Sequence, residues 1–172
     1  MPTEKINTDK ARAELLDLLG DVACTNNALR RAARRLGQLY DKALAPIGLK
    51  ATQVGLLGEI ARLSAVDEQG GPTLQELAGR LAILMSALTH AMKPLVRDGL
   101  VLVQVDELDR RSRRVLLTDD GQRKYEEARV VSKQMAVRFD EAFGVEAACE
   151  LRKAMDFIAS DDFARALLGK SA

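Results

Sequence analysis

Four arginines crowd into five residues: Arg110, Arg111, Arg113 and Arg114. A guanidinium cluster this dense neutralises phosphates and fits the narrow minor groove of duplex DNA. Asp109 stands two residues before Arg111, placed to hold one guanidinium by a charge-assisted hydrogen bond and so shape the loop. A plainer reading is a hairpin tip kept soluble by its charge. The helices expected on either side favour the DNA reading.

Other reactive side chains are sparse. His90 is the single histidine and no Cys-x-x-Cys occurs, so no metal site is expected. Gly70-Gly71 lacks the Lys-Ser/Thr of a phosphate loop. No carboxylate pair or nucleophile–base set stands out, which argues against an enzyme, and no motif asks for a cofactor. Arg30, Arg31, Arg34 and Arg35 form two adjacent rows at helical spacing. Such rows are either solvated or ion-paired, or they bind the carboxylate or phosphates of a small ligand. Cys24 opens a helical stretch, where the helix dipole would favour a thiolate if the sulfur were exposed. Cys149 is its candidate redox partner; the favoured alternative is two buried core cysteines. No apolar stretch approaches the ~20 residues needed to span a bilayer, so a cytoplasmic location without a membrane partner is expected.

The elements that must position these residues follow from periodicity. The chain has 172 residues with 26 Lys and Arg against 25 Asp and Glu, so only the distribution of charge is informative. Ala28, Ala32, Leu36, Leu39 and Ala43 lay an apolar stripe along a helix over 21–45, broken by Pro46 and Gly48. A second helix is expected over 52–63. Thr73 with Glu76 makes a capping box that starts a short helix at Leu74. The next helix, over 85–98, ends at Gly99, with Pro94 weakening its last turn. Alternation predicts strands over 100–105 and 113–117 around the basic loop. Thr118 caps a helix with Asp119 and Asp120 in its first turn, running to Phe143. A last helix starts at Glu146.

The fold class is therefore mainly α with a small β-hairpin wing, a winged helix-turn-helix plus a helical dimerisation region. Residues 1–20 are an N-terminal extension, 21–48 and 119–172 the dimerisation region, and 49–118 the DNA-binding domain. Dimerisation is inferred because apolar stripes at both ends exceed what a small helix–hairpin core covers.

These segments resemble the MarR family of winged-helix transcription regulators. Residues 24–41, 45–57, 73–81 and 94–101 carry the likeness, and above all the run Asp109-Arg-Arg-Ser-Arg-Arg-Val-Leu-Leu-Thr-Asp-Asp-Gly121. That run is similar to the family's wing signature, Asp-x-Arg followed by Leu-Thr-x-x-Gly. The resemblance implies a homodimeric repressor on a pseudo-palindromic operator, released by a small aromatic or acyl effector. It implies a recognition helix starting at Met85, with Met85, Ser86, Ala87, Thr89, His90 and Lys93 facing double-stranded DNA and Arg111 reaching the duplex. Leu84, Met85, Ala87 and Ala91 replace the family's polar types, and Ser86 is an alternative helix cap to Leu84. Specificity then rests on methyl contacts and DNA shape, or the winged helix docks a protein and binds DNA weakly. The implied effector pocket draws on Arg30, Arg34, Tyr40 and Gln53. A redox-sensing regulator using Cys24 and Cys149 is a further alternative.

Overall fold

The computed structural model describes residues 25–66, 71–107 and 109–169. Its elements are α1 (Thr25–Leu44), a 3-10 turn (Ala45–Ile47), α2 (Ala51–Ser64), α3 (Leu74–Arg80), α4 (Met85–Arg97), β1 (Val101–Val105), β2 (Arg113–Leu117), α5 (Asp119–Phe143), α6 (Val145–Ile158) and α7 (Asp161–Leu168). The expected N-terminal extension and Cys24 lie outside the described residues. The chain divides after Leu39 into two units. Of the first, residues 25–39 are described: the greater part of α1, with Ala28, Ala32, Leu36 and Leu39 exposed. Arg30, Arg31, Arg34 and Arg35 are exposed there too.

The second unit holds the core. Leu44, Leu57, Ile60, Leu77, Leu88, Leu95, Val101 and Val115 are sealed from solvent, so α2, α3, α4 and the hairpin share one apolar centre. Each such side chain contributes about 1.5–3 kcal/mol through burial. Lys50 occupies the N-cap of α2 but has no acceptor in its side chain. Two neighbours compensate. The Asp41 carboxylate accepts the Ala51 N–H at 2.7 Å, and Gln53 Oε1 accepts the Lys50 N–H at 2.9 Å.

The capping box of α3 forms as its spacing predicts. Thr73 Oγ1 accepts the Glu76 N–H at 3.2 Å, and Glu76 Oε2 accepts the Thr73 N–H at 2.8 Å. Helix α4 continues through Pro94 and closes with the Asp98 N–H on the Pro94 carbonyl at 2.9 Å. The strands pair antiparallel, Val101 opposite Leu117 and Val105 opposite Arg113. The helix expected from Glu146 runs over Val145–Ile158, and a separate helix follows it. Ser160 Oγ accepts the Phe163 N–H at 3.2 Å and so caps a separate α7. Val137, Phe143, Met155, Phe157 and Ile158, on α5 and α6, remain exposed.

Glu59 ties α2 to α3. Its carboxylate accepts from Arg62 at 2.6 Å and from Arg80, across the helix pair, at 3.2 Å. The bond from Arg62, helped by Arg80, holds the Glu59 carboxyl below its usual range. A depressed carboxyl stabilises the fold above the unfolded-state value near 4.5 and loses that contribution as pH falls through the folded value. Glu59→Gln is therefore expected to lower stability by about 0.5–1 kcal/mol at neutral pH. The difference should vanish in acid, below the folded value. Urea melts at pH 7 and at a series of lower pH values check this; a pH-independent difference would contradict it.

Candidate nucleic-acid interface

One node sets the direction of α4, the hairpin and α5 together. Gly99, at φ 71°, ends α4, and the Leu100 N–H returns to the Leu95 carbonyl at 2.9 Å. Thr118 then closes on this turn. Its N–H donates to the Leu100 carbonyl at 3.1 Å, its hydroxyl donates to the Gly99 carbonyl at 2.7 Å, and Thr118 Oγ1 in turn accepts the Gly121 N–H at 2.9 Å. Gly121 lies so close that a Cβ there would fall 1.9 Å from the Leu100 carbonyl oxygen. The Leu-Thr-x-x-Gly run is thus a splice between the wing and the long helix.

The hairpin tip is braced from within. Asp106 is 4% exposed, and its carboxylate accepts from Arg114 Nε, whose side chain is 12% exposed. Arg114 also donates to the Gly71 carbonyl. The other Asp106 oxygen accepts the Asp109 N–H at 2.7 Å. Beside this brace, the Val115 N–H donates to the Pro72 carbonyl at 2.8 Å.

Two expectations are corrected here. Among the described residues Asp109 holds no guanidinium. Its oxygens take the Arg111 N–H at 3.0 Å and the Ser112 hydroxyl at 2.8 Å, so it shapes the turn through the backbone. Arg114 is not a free phosphate contact, because its guanidinium is engaged inward by Asp106 and Gly71. Arg110, Arg111 and Arg113 are exposed, with no ion pair among the described residues. Sequence reasoning passes over Asp106; its one signal there is a carboxylate at the end of an apolar strand.

Helices α3 and α4 are joined through Ala82, which takes a left-handed φ of 51°. That conformation costs a non-glycine residue about 1–2 kcal/mol. The bond from the Ile83 N–H to the Ala78 carbonyl at 3.1 Å secures the turn. Leu84 is the N-cap of α4, with no side-chain hydrogen bond, so Ser86 does not replace it as the cap. Leu88, Met92 and Leu95 face the core. Ser86, Ala87, Thr89, His90 and Lys93 are exposed, as the DNA-facing assignment requires. Thr89 donates its hydroxyl proton to the Met85 carbonyl at 2.8 Å.

A cavity of about 820 Å³ flanks this helix, lined by Asp41, Lys50, Thr52 and Gln53 on one side and His90, Lys93, Pro94 and Arg97 on the other. Of the expected effector anchors it contains Gln53 but not Tyr40. Burial pushes the Tyr40 phenol up, with Arg152 opposing and Asp140 adding to the rise. Arg30 and Arg34 belong to the first unit. Cys149 is exposed on α6, which overturns a buried-core reading for that thiol. Among the described residues no cluster of metal-ligating side chains occurs, and no helix is long and apolar enough to cross a membrane.

No family model matches the chain. The transcriptional activatory protein BadR of Rhodopseudomonas palustris is 29% identical over 126 residues, 73% of this chain and 69% of that protein. The M. tuberculosis transcriptional regulator MosR, solved in complex with DNA, is 30% identical. The match covers 80% of this chain and 99% of MosR at a TM-score of 0.63. The transcriptional repressor CouR, bound to a 23-mer duplex, is 25% identical over 79% of this chain and 92% of its own, at a TM-score of 0.69. A CouR from Rhodococcus jostii RHA1, solved with p-coumaroyl-CoA, matches at 19% identity and a TM-score of 0.65 over 78% and 90% of the two chains. MosR and CouR are MarR-family regulators, and this chain shares their overall fold. The chain belongs to the MarR family of winged-helix transcriptional regulators.

Proposed function

We propose that the chain is a homodimeric DNA-binding repressor on a pseudo-palindromic operator, released by a small anionic effector with an aromatic or acyl body. The observation that carries this is the wing: Arg110, Arg111 and Arg113 stand exposed on a tip that Asp106, Asp109 and Arg114 hold rigid. Exposed guanidiniums on a preorganised loop bind phosphate without an ordering cost. The exposed apolar residues of α5 and α6 support self-association. The cavity beside α4 supports the effector. Lys50, Lys93 and Arg97 on its walls outnumber the carboxylates of Asp41 and Asp98, so the cavity favours an anion. CouR's crystallisation with p-coumaroyl-CoA supports the acyl class.

The test is a salt titration on duplexes selected from a random pool. Affinity should fall steeply as salt rises, through counterion release. Arg111→Ala should weaken every duplex alike and reduce the log–log salt slope by about one for each phosphate that the wing no longer neutralises. His90→Ala should alter sequence preference instead. An unchanged affinity in Arg111→Ala would refute wing docking. Salt-insensitive binding would favour the alternative of a winged helix that docks a protein.

A further inference from the structure

Resting on that DNA-binding reading, we propose that α4 selects its operator through the 5-methyl groups of thymine, with Leu84 and Met85 as the reading side chains. In helix-turn-helix docking, the N-terminal residues of the second helix meet base edges. Here that start displays Leu84, 77% exposed, and Met85, 42% exposed. Ala87 is exposed beside them. None of the three carries a hydrogen-bonding group that reads a base.

Polar help is scarce over the same two turns. Thr89 gives its proton to the Met85 carbonyl of its own helix, so it has none for a purine acceptor. Ser86 and His90 remain, and neither makes the two-pronged pair that arginine forms with guanine or asparagine with adenine. An aliphatic surface gains free energy only against another apolar surface. In the major groove that surface is the thymine methyl. The exposed wing arginines and Lys93 draw a polyanion to this face rather than an apolar protein.

The duplex recovered by selection is resynthesised with deoxyuridine for thymine, one position at a time and then throughout. Removing each methyl that the helix reads should weaken binding about fourfold, the value of one buried carbon. The salt slope should stay unchanged. In Leu84→Ala and Met85→Ala, both at exposed positions, the thymine-to-deoxyuridine affinity ratio should fall towards one. Equal affinity of the unaltered chain for both duplexes overturns the methyl reading and leaves DNA binding standing. So does undiminished discrimination in both variants. Failure to bind any duplex in dilute salt overturns the DNA-binding reading as well, and directs the apolar patch to a protein partner.

Discussion

Gly121→Ala should unfold the winged domain at far lower denaturant than the unaltered chain. The added carbon would fall 1.9 Å from the Leu100 carbonyl oxygen and 2.9 Å from its carbon. Both are backbone atoms, so no rotamer change relieves the clash. The Leu100 oxygen cannot retreat cheaply, because it accepts the Thr118 N–H at 3.1 Å. Overpacking of this kind costs about 1–3 kcal/mol, and more where backbone must move. We expect a loss of about 3 kcal/mol or more, with the first turn of α5 displaced from the hairpin. Gly79→Ala is the comparator. A Cβ there meets nothing within 4 Å, and the site is an exposed helix position, so it should gain about 0.5–1 kcal/mol. Guanidinium melts of the two variants, side by side, decide the matter. A Gly121→Ala protein as stable as the original would mean that α5 need not start against the Leu100 carbonyl.

Asp106→Ala is expected to cost about 3–5 kcal/mol, the usual consequence of removing one partner of a buried ion pair. The Arg114 guanidinium, 12% exposed, would keep its place in the wing without that carboxylate. The Asp109 N–H would lose its acceptor too, so both ends of the tip loosen. DNA affinity should therefore fall although Asp106 is itself buried and faces no solvent. The double replacement Asp106→Leu with Arg114→Met should recover most of the stability, since an apolar pair of similar size avoids the desolvation penalty. It should recover less of the DNA affinity, because the Asp109 N–H stays unanchored. If the single variant melts like the original, the pair is ornamental and the wing is held by backbone pairing alone.

Much of the architecture is legible along the chain because local rules set it. Thr73 and Glu76 announce a helix start by spacing alone, and the structure forms both of their bonds. Gly99, Thr118 and the alternation of residues 100–105 and 113–117 mark the hairpin to within a residue. The helix end near Ala159 is legible too, whereas the separate helix capped by Ser160 is not, since a serine inside a periodic pattern reads as readily as part of one helix.

The site divides differently. Distance from Arg111 singles out Asp109, yet the carboxylate that holds an arginine is Asp106. Three acids, Asp106, Glu107 and Asp109, sit in one loop, and spacing does not rank them. Burial does, and the Arg114 that pairs with the buried Asp106 is also held by the Gly71 carbonyl, 43 residues away. Tyr40 and Gln53 look alike as polar anchors along the chain, but of the two Gln53 lines the cavity and Tyr40 does not. Thiols in general prefer interiors, and Cys149 lies outside.

Residue order by itself determined the helices, the two strands, the basic tip and the apolar start of α4, because propensity, capping and periodicity act within about four positions. Tertiary packing decided which arginine became a brace and which stayed outward. It also decided why position 121 tolerates no side chain and where the cavity opens. Those outcomes depend on carbonyls and carboxylates brought together from distant stretches, and only the folded chain sets their distances.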